Sequence, residues 1–304
     1  MKRILILALT LLGTTPLFGW GQKGHLITNE AAAITLPNDM PPFFLAEVGQ
    51  LTYLGPEPDR WRATGESLDA MNPPDHFLDY EYVADLKLPA DRYRFIDLLY
   101  KSGTLRRHAI YNSTTGFLPW RIAELEDRLT TEFRIWRGTA AGSPERLYTE
   151  RQILSIAGTL GHFVGDSSNP QHASTNYNGW TDPNPNGYAT DCNAHDRFEL
   201  YFVTQNLVTA DVTPKIGKPE LRTDYFATAL EFIRGTNGMI ETLYQLDKKG
   251  DFDIFRKPVS GEGKAFATDR LAAGAALLRD FWWSAWVNSA KPAKRGNWPG
   301  AELP

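Results

Sequence analysis

The segment Trp120–Trp136, WRIAELEDRLTTEFRIW, places apolar residues three and four positions apart, with charged residues between them. This spacing predicts an amphipathic helix, and Pro119 occupies the favoured first-turn position at its start. The pattern recurs over Glu150–Val164, Asp224–Leu246 and Glu262–Val287, whereas strand-like alternation is scarce. The sequence therefore predicts an all-α fold.

Three irregular stretches separate or follow these helical segments. Residues 55–76 contain four prolines, residues 167–194 are rich in Asn, Gly, Pro and Thr, and the tail from Lys291 is rich in Pro and Gly. No internal repeat and no change of composition marks a linker between domains. We therefore expect one compact multi-helix domain over residues 20–304, with polar loops available for chemistry.

The first residues have the pattern of a secretory signal peptide over residues 1–19. Lys2 and Arg3 precede the short apolar run Ile4–Leu12, and small or turn-forming residues continue to Gly19. The cleavage site matches the usual small-x-small pattern imperfectly because Leu17 is large. The apolar run is too short to span a bilayer comfortably. We expect an exported protein, periplasmic or secreted, with no stable membrane anchor, and we expect it to be a monomer.

The composition limits the classes of partner. The chain has 304 residues, of which 42% are hydrophobic, enough for a sizeable core. Its formal net charge of −4 would become −6 after loss of the two basic residues in the signal segment. A mildly acidic surface argues against broad electrostatic attraction to nucleic acid or anionic lipid. The single cysteine, Cys192, permits no internal disulfide.

The histidines are few, and most of them stand beside other groups that can bind metals. His162 and Asp166 are four residues apart in GHFVGD, and His195 and Glu199 repeat that spacing in HDRFE. On a helix such a pair projects from one face and can share a cation. His172 lies between the two pairs, after a proline at which the preceding helix should have ended.

Three further candidates lie upstream: His76 in PPDHFLDYE, Asp59 in PEPDRWR and His25 in WGQKGH. A single histidine–carboxylate pair is more often a surface or core pair than a metal site. Two such pairs, a third histidine between them and these upstream residues together favour metal binding. A mixed set of imidazole and carboxylate ligands is typical of zinc.

The ordered set WGxxGH, PD, HF, HFxGDxxxPxH and HxxxE resembles the zinc-dependent phospholipase C and S1/P1 nuclease superfamily. The resemblance spans Trp20 to Glu199 and implies a compact α-helical domain that holds three zinc ions. It implies one ion held by Asp59, His76, His162 and Asp166, a second by His172, His195 and Glu199, and a third by His25, Asp166 and Trp20. The last residue would bind through its free α-amine and its backbone carbonyl.

The α-amine ligand gives the signal peptide a chemical role. An α-amine can bind zinc only at a free terminus, so the resemblance implies that Trp20 is the first residue of the mature protein. It thereby strengthens the expected cleavage after Gly19, and it implies that the unprocessed precursor lacks one zinc site.

The resemblance implies an exported hydrolase that cleaves phosphodiester bonds. Closely spaced zinc ions can supply a hydroxide at neutral pH, neutralise phosphate oxygens and stabilise the leaving alkoxide. Asp166 would bridge two ions and Asp59 would orient the attacking water, so these two carboxylates are the expected catalytic residues.

Two substrate classes remain open, and we favour single-stranded nucleic acid. The WGxxGH spacing and the long loop between His172 and His195 resemble the nuclease branch. Glu199, where that branch typically has Asp, and the absence of GGN from the loop resemble the phospholipase C branch, which acts on phospholipid head groups. The loop residues Tyr177, Trp180 and Tyr188 could stack on an unpaired base, cage a choline group or simply pack the loop.

The ligand set is also compatible with other activities, and further residues lie near it in the sequence. A non-catalytic zinc-binding helical protein would be expected to lack a ligand, and none is missing, while phosphomonoesterase activity is possible with the same metals.

We expect His108 to be an exposed helix residue, and Arg60 and Arg62 to be surface arginines in preference to phosphate contacts. Cys192 is not expected to reach a metal, and Asp79 is expected either to support a ligand or to contact substrate.

Overall fold

A computed structural model describes residues 20–62 and 65–292 of the chain. The predicted signal peptide, residues 1–19, lies outside this part. So does almost all of the predicted tail from Lys291.

The described residues form an all-α structure, as predicted. The α-helices are α1 Gly21–Ile34, α2 Pro42–Ala46, α3 Val48–Leu54, α4 Glu57–Arg60, α5 Glu66–Met71, α6 Arg92–Lys101, α7 Thr104–His108, α8 Asn112–Thr115, α9 Leu118–Gly138, α10 Pro144–Ser167, α11 Val203–Asn206, α12 Thr209–Val212, α13 Tyr225–Asn237, α14 Ile240–Lys248 and α15 Gly261–Asn288. Single turns of 3₁₀-helix cover Pro73–His76, Tyr80–Tyr82, Pro170–His172 and Thr213–Lys215, and Asp196–Phe202 is a π-helix. Strand-like pairing in the described part is confined to isolated bridges.

The predicted helices are present, with different limits. α9 and α15 match their patterns closely, and α10 begins at Pro144, six residues before the predicted start, where Ser143 caps its N-terminus. The predicted helix Asp224–Leu246 is two helices, because the chain turns at Gly238 and Met239 between α13 and α14. Residues 55–76, expected to be irregular, contain two short helices and a 3₁₀ turn.

Helix α10 is the centre of the fold. It packs against α9, α15, α3 and α1, and residues from Thr149 to Ser167 supply most of its buried surface. Trp282 of α15 is fully buried and donates its indole N–H to the carbonyl oxygen of Ala157, 3.0 Å away. The side chains around the C-terminal half of α10 are therefore held from several directions.

Two glycines of α10 allow this close packing. A Cβ at Gly158 would overlap the side chain of Leu54 on α3, and a Cβ at Gly161 would overlap the amide of Asn29 on α1. Asn29 donates hydrogen bonds to the carbonyl oxygens of Leu51, at 2.8 Å, and Gly158, at 3.0 Å. The absence of side chains at these glycines thus lets α1 and α3 pack closely against the backbone of α10, just before the end of the helix that carries His162 and Asp166.

One buried side chain of the core is unusual. Glu126 of α9 is fully buried, and neither of its carboxylate oxygens accepts a hydrogen bond from the described residues. Burial, with a smaller contribution from Asp127, raises its pKa well above the usual value. The neutral acid is therefore the favoured form of Glu126 in the folded protein.

Among the described residues, no helix combines the length and the apolar character that a membrane-spanning segment requires.

Candidate metal centre

The first two candidate residues lie at the start of α1. Trp20 precedes the helix, is fully buried, and donates its indole N–H to the carbonyl oxygen of Gly165 at 2.7 Å and to Ser168 Oγ at 3.0 Å. One turn later, His25 is also fully buried, and its Nε2 lies 3.4 Å from Asp166 Oδ1. The indole therefore anchors the start of α1 against the end of α10, which brings His25 to Asp166.

The proline-rich stretch places Asp59 and His76 opposite α10. Asp59 lies on α4 and His76 ends a 3₁₀ turn, and their facing Oδ1 and Nε2 atoms are 3.9 Å apart. The prolines shape both elements, because Pro58 and Pro73 occupy first-turn positions where a missing N–H costs nothing. Asp59 Oδ1 also lies 3.8 Å from His162 Nε2.

Helix α10 contributes His162 and Asp166 from one face, as their spacing predicts. His162 Nε2 is 3.4 Å from Asp166 Oδ2, and both side chains are fully buried. The His162 ring stacks on that of His25, with centroids 3.8 Å apart. Asp166 Oδ1 faces His25 on one side and His172 Nδ1, 3.8 Å away, on the other. Asp166 thus lies between histidines from three different segments.

The remaining three residues form a compact group. His172 ends a 3₁₀ turn, and its Nε2 is 3.5 Å from Glu199 Oε2, while His195 Nε2 is 2.9 Å from Glu199 Oε1. Residues 196–202 form a π-helix instead of the α-helix that the spacing suggested. The i, i+4 pair still faces one point, and π-helical turns often occur at functional sites.

The nine predicted residues therefore lie close together, and eight of them supply side chains to three buried ligand sets. These sets are His25, His162 and Asp166; Asp59, His76 and His162; and His172, His195 and Glu199. The set of His172, His195 and Glu199 is the one that the resemblance implied. The other two differ from it, because Asp166 groups with His25 and not with Asp59 and His76, and His162 belongs to both sets. Trp20 lies beside Asp166 through its indole, but its carbonyl oxygen accepts the N–H of Gly24 at 3.2 Å, and its role as a ligand stays a prediction.

The histidines are oriented by their second ring nitrogens. The Nδ1 atoms of His76, His162, His172 and His195 each lie against a backbone carbonyl oxygen, those of Asn72, Gly55, His76 and Tyr177, at 2.8, 2.9, 2.8 and 3.2 Å. A carbonyl oxygen can only accept, so each Nδ1 is the donor in its contact. For the rings that burial keeps neutral, those of His76 and His162, the lone pair then lies on Nε2. This is the usual second contact of a metal-ligating histidine, and it turns the Nε2 atoms toward the carboxylates.

The buried polar atoms at the centre fit a cation. Within the described part of the chain, His76 Nε2, His162 Nε2 and both oxygens of Asp166 make no hydrogen bond. Burial lowers the pKa of His76 and of His162 well below the usual value, which keeps both rings neutral. Burial, with nearby Asp59 and Glu199, raises the pKa of Asp166 well above its usual value. Bound cations would compensate carboxylates that burial otherwise disfavours.

The other two carboxylates have different surroundings. Burial raises the pKa of Asp59 to about 7, against the opposing effect of the Arg62 guanidinium. Burial also acts to raise the pKa of Glu199, but the neighbouring His195 and His172 outweigh it, and this pKa lies below its usual value.

Asn169 is a supporting residue that the sequence analysis did not identify. Its buried side chain donates to Glu199 Oε2 at 2.8 Å and accepts the backbone N–H of Gln171 at 3.0 Å, which caps the turn that ends at His172. One side chain thus orients two members of the same ligand set. The only sign of this residue in the sequence is its place before Pro170, which predicts the end of a helix but not a contact with Glu199.

A cleft of about 190 Å³ opens onto the ligands. Among the residues that line it are His76, His172 and His195, together with Arg62, Phe77 and Tyr177. Arg62 is not the surface arginine that the sequence analysis expected, because its side chain is 16% exposed and its Nε lies 3.0 Å from Asp59 Oδ1. Arg60 is at the surface, where it pairs with Glu57.

Asp79 also lines this cleft. It is 7% exposed. Burial, and to a lesser extent the neighbouring Glu81, raises the pKa of Asp79 to about 8. Both roles expected for this residue, support of a ligand and contact with substrate, stay predictions.

The three loop aromatics have different surroundings. Trp180 and Tyr188 pack against each other and against Tyr244 of α14, with centroids 4.7 to 5.9 Å apart, so these two rings pack the loop. Tyr177 is 42% exposed and lines the cleft. His108 is exposed at the end of α7, and Cys192 is exposed and belongs to none of the ligand sets, as expected.

The fold and the site define a class: an all-helical protein with three buried His/Asp/Glu sets that suit three zinc ions. No protein-family model and no curated protein matches the chain. Among solved structures, it is similar to the alpha-toxin of Clostridium perfringens avian strain SWCP, with 15% identity and a TM-score of 0.46 over 89% of this chain and 64% of that one. It is also similar to the alpha-toxin of Clostridium absonum, with 13% identity and a TM-score of 0.40 over 90% and 67% of the two chains.

The chain thus spans 64% of the first of these toxins. Likenesses of this size do not define a family, so the functional assignment depends on the site itself.

Proposed function

We propose that this chain is a zinc-dependent hydrolase of phosphodiesters. The observation that carries the proposal is the convergence of three ligand sets beneath one cleft. Zinc ions bound together in this way can supply a nucleophile at neutral pH and neutralise the charge of the reacting phosphate.

Different side chains of the site would bind the ions, orient water and bind the phosphate. The imidazoles of His25, His76, His162, His172 and His195 and the buried carboxylates would hold the ions. Asp59 faces the cleft residue Arg62 and two histidines, a position from which its carboxylate could orient water beside the phosphate. Asp166 lies between two ligand sets and would join them. Arg62 could bind a phosphate oxygen while it remains paired with Asp59.

The first experiment tests the metal and the reaction. Purified mature protein should contain close to three zinc ions and should hydrolyse a chromogenic phosphodiester. Removal of zinc by a chelator should abolish turnover, and added zinc should restore it. Fewer than one ion per chain after zinc supplementation, or turnover that is unaffected by chelation, would contradict the proposal.

Two substrate classes fit different features of the cleft. Phe77 and Tyr177 offer aromatic faces, and a protonated Asp79 can both donate and accept a hydrogen bond, as recognition of an unpaired nucleobase requires. Burial raises the pKa of the Tyr82 phenol, and the nearby acids Asp79, Glu81 and Asp182 raise it further. An acidic wall with aromatic rings would favour the cationic head group of a zwitterionic phospholipid.

Substitutions of Asp79 should distinguish the two substrate classes. Asp79→Asn removes the ability to carry a negative charge, which a cationic head group would stabilise, but keeps a group that donates and accepts hydrogen bonds. If the substrate is a phospholipid with a cationic head group, this variant should raise KM for phosphatidylcholine as strongly as Asp79→Ala. If the substrate is single-stranded nucleic acid, Asn should retain much more of the affinity for DNA or RNA than Ala.

Asp85→Asn, at an exposed position, is the control. Turnover of phosphatidylcholine with single-stranded nucleic acid untouched would establish the phospholipid reading, and the converse result would establish the nuclease.

A further inference from the structure

Gln171 is a buried residue of the cleft to which the proposed hydrolysis assigns no role. It lies between Pro170 and His172 in a 3₁₀ turn, is 2% exposed, and is among the residues that line the cleft. Its backbone N–H donates to Asn169 Oδ1 at 3.0 Å. Its side-chain Nε2 and Oε1, in contrast, form no hydrogen bond with any described residue. The backbone of the turn is therefore fixed, whereas the carboxamide has no partner within the described part of the chain.

A carboxamide in this position is unfavourable for the fold alone. A buried polar group that gives up its contacts with water and gains no hydrogen bond in return destabilises the folded protein. An apolar side chain of similar size would fill the same space without that cost. The carboxamide therefore favours a partner that comes from outside the chain and reaches it through the cleft.

Two hydrogen-bonded segments form this part of the cleft. The N–H of Leu78 donates to the carbonyl oxygen of His172 at 3.0 Å, and the N–H of Tyr80 donates to that of Ala173 at 3.3 Å. Asp79, between the two donors, is buried and also lines the cleft. The backbone contacts hold the two segments together, so a group that enters the cleft meets polar side chains from both.

The carboxamide selects its partner by hydrogen bonding and not by charge. It is neutral, with two donors on Nε2 and an acceptor at Oε1. Zinc prefers imidazole, thiolate and carboxylate ligands, so the carboxamide is not expected to hold an ion. A hydrocarbon chain or a quaternary ammonium group offers neither a donor nor an acceptor and would leave the amide unpaired. A hydroxyl or an amide group can both accept from it and donate to it.

We propose that Gln171 is a specificity-determining residue, whose carboxamide hydrogen-bonds a hydroxyl or amide group in the part of the substrate beyond the reacting phosphate. This inference rests on the proposed hydrolysis of phosphodiesters and adds a requirement on the esterified alcohol. A site with a buried hydrogen-bonding group rejects an analogue that lacks the matching group more strongly than an apolar pocket can, because the analogue leaves the buried group unpaired.

The test uses symmetric phosphodiesters, in which both esterified alcohols are the same. Bis(hydroxyethyl) phosphate is compared with dipropyl phosphate, and bis(hydroxypropyl) phosphate with dibutyl phosphate, so that a methyl group replaces each terminal hydroxyl. Calorimetry measures the dissociation constants of these diesters with the zinc-loaded wild type and two variants. Gln171→Met keeps the length of the side chain and removes its amide, and Gln152→Met makes the same change at an exposed position of α10.

In the wild type, the hydroxyl group should strengthen binding in at least one of the two pairs of diesters. The ratio of the dissociation constants within that pair should decrease roughly 10-fold in Gln171→Met, as expected for the loss of one neutral hydrogen bond. The ratio should be unchanged in Gln152→Met. A dissociation constant does not depend on the fraction of protein that is folded, so partial unfolding of a variant could not produce this result.

Three results would overturn the inference. A wild type with no preference in either pair would show that the cleft does not recognise the hydroxyl group. An unchanged preference in Gln171→Met would show that the carboxamide only packs the turn, and an equal decrease in Gln152→Met would show an effect unrelated to the cleft. Failure of the proposed function would be recognised separately, because the wild type would then not hydrolyse a chromogenic diester, whereas the binding preference requires no turnover.

Discussion

Asp166 is the side chain that connects the ligand sets. Its two oxygens face His25 and His162, each at 3.4 Å, and one of them also faces His172 at 3.8 Å. Asp59 lies within 4 Å of His76 and His162, and Glu199 lies within 4 Å of His172 and His195. A change of Asp166 should therefore affect more than one ion.

We expect Asp166→Asn to weaken the binding of two zinc ions and to lower activity on the order of 10³-fold or more, because the amide keeps the shape but removes the charge. Zinc content and turnover of a chromogenic phosphodiester would be measured on the same preparation. His108→Ala, at an exposed position on α7, is the control and should be close to neutral. Equal losses in the two variants would indicate that such substitutions merely unfold the domain.

The buried carboxyl group of Glu126 should make the stability of the protein depend on pH. In the folded protein its pKa is raised by burial, and in the unfolded chain it should be near the usual glutamate value. Folding therefore favours proton uptake. The contribution of Glu126 to the free energy of unfolding should be most favourable below the unfolded pKa and should decrease as the pH rises toward the folded pKa.

We expect Glu126→Gln to raise the melting temperature by a few degrees at pH 8 and to change it little at pH 4. Thermal unfolding across this range would show the difference, with the exposed Glu66→Gln as the control. A variant that is less stable than the wild type at pH 8 would mean that the charged carboxylate contributes favourably to the fold.

At the scale of the elements, α10 combines poor helix-forming residues with a central position. Gly158, Gly161 and Gly165 recur along the face that meets α1 and α3. Glycine in a helix costs roughly 0.5–1 kcal/mol relative to alanine. Packing, and not intrinsic propensity, must therefore stabilise this helix.

A pair of glycine substitutions tests that statement. Gly158→Ala should destabilise the protein by roughly 1–3 kcal/mol, because the added methyl group overlaps Leu54. Gly235→Ala on α13, where a Cβ meets nothing within 4 Å, should stabilise it by roughly 0.5–1 kcal/mol. Chemical denaturation would measure both. Stabilisation by Gly158→Ala would show that α3 can move away from α10 at little cost.

The long helices and the histidine–carboxylate pairs could be predicted from the sequence because both depend on local spacing, whereas the grouping of His25, Asp59 and His76 with them was implied by the family resemblance alone. The period of apolar residues identified α9, α10 and α15, and the i, i+4 pairs identified His162 with Asp166. The break at Gly238, the π-helix after His195 and the contacts of Asn169 could not be predicted. They depend on packing between segments far apart in the sequence, which a single sequence does not reveal.

At the scale of the whole molecule, the three ligand sets connect distant parts of the chain. Their members come from α1, α4, α10, two 3₁₀ turns and the segment around the π-helix, between residues 25 and 199. Because metal binding to such a site is coupled to folding, removal of zinc should lower the melting temperature. Calorimetry with and without chelator would show this, and an unchanged transition would mean that the fold does not depend on the ions.

Processing at the N-terminus is also a property of the whole molecule. We expect exported protein to begin Trp-Gly-Gln-Lys-Gly-His, which mass analysis would detect. A mature form with one added residue before Trp20 should lose one zinc ion and most turnover, because the amine becomes an amide. Full activity of that extended form would exclude the terminal amine as a ligand.

The exposed thiol of Cys192 offers a way to observe the site during binding. It is the only cysteine of the chain and lies three residues before His195, in the loop that leads to the π-helix. A maleimide dye would therefore attach at one position without any engineering of the sequence. Its emission should report how the loop responds when the nearby ion is removed or a substrate enters, in real time and without a radioactive or chromogenic substrate.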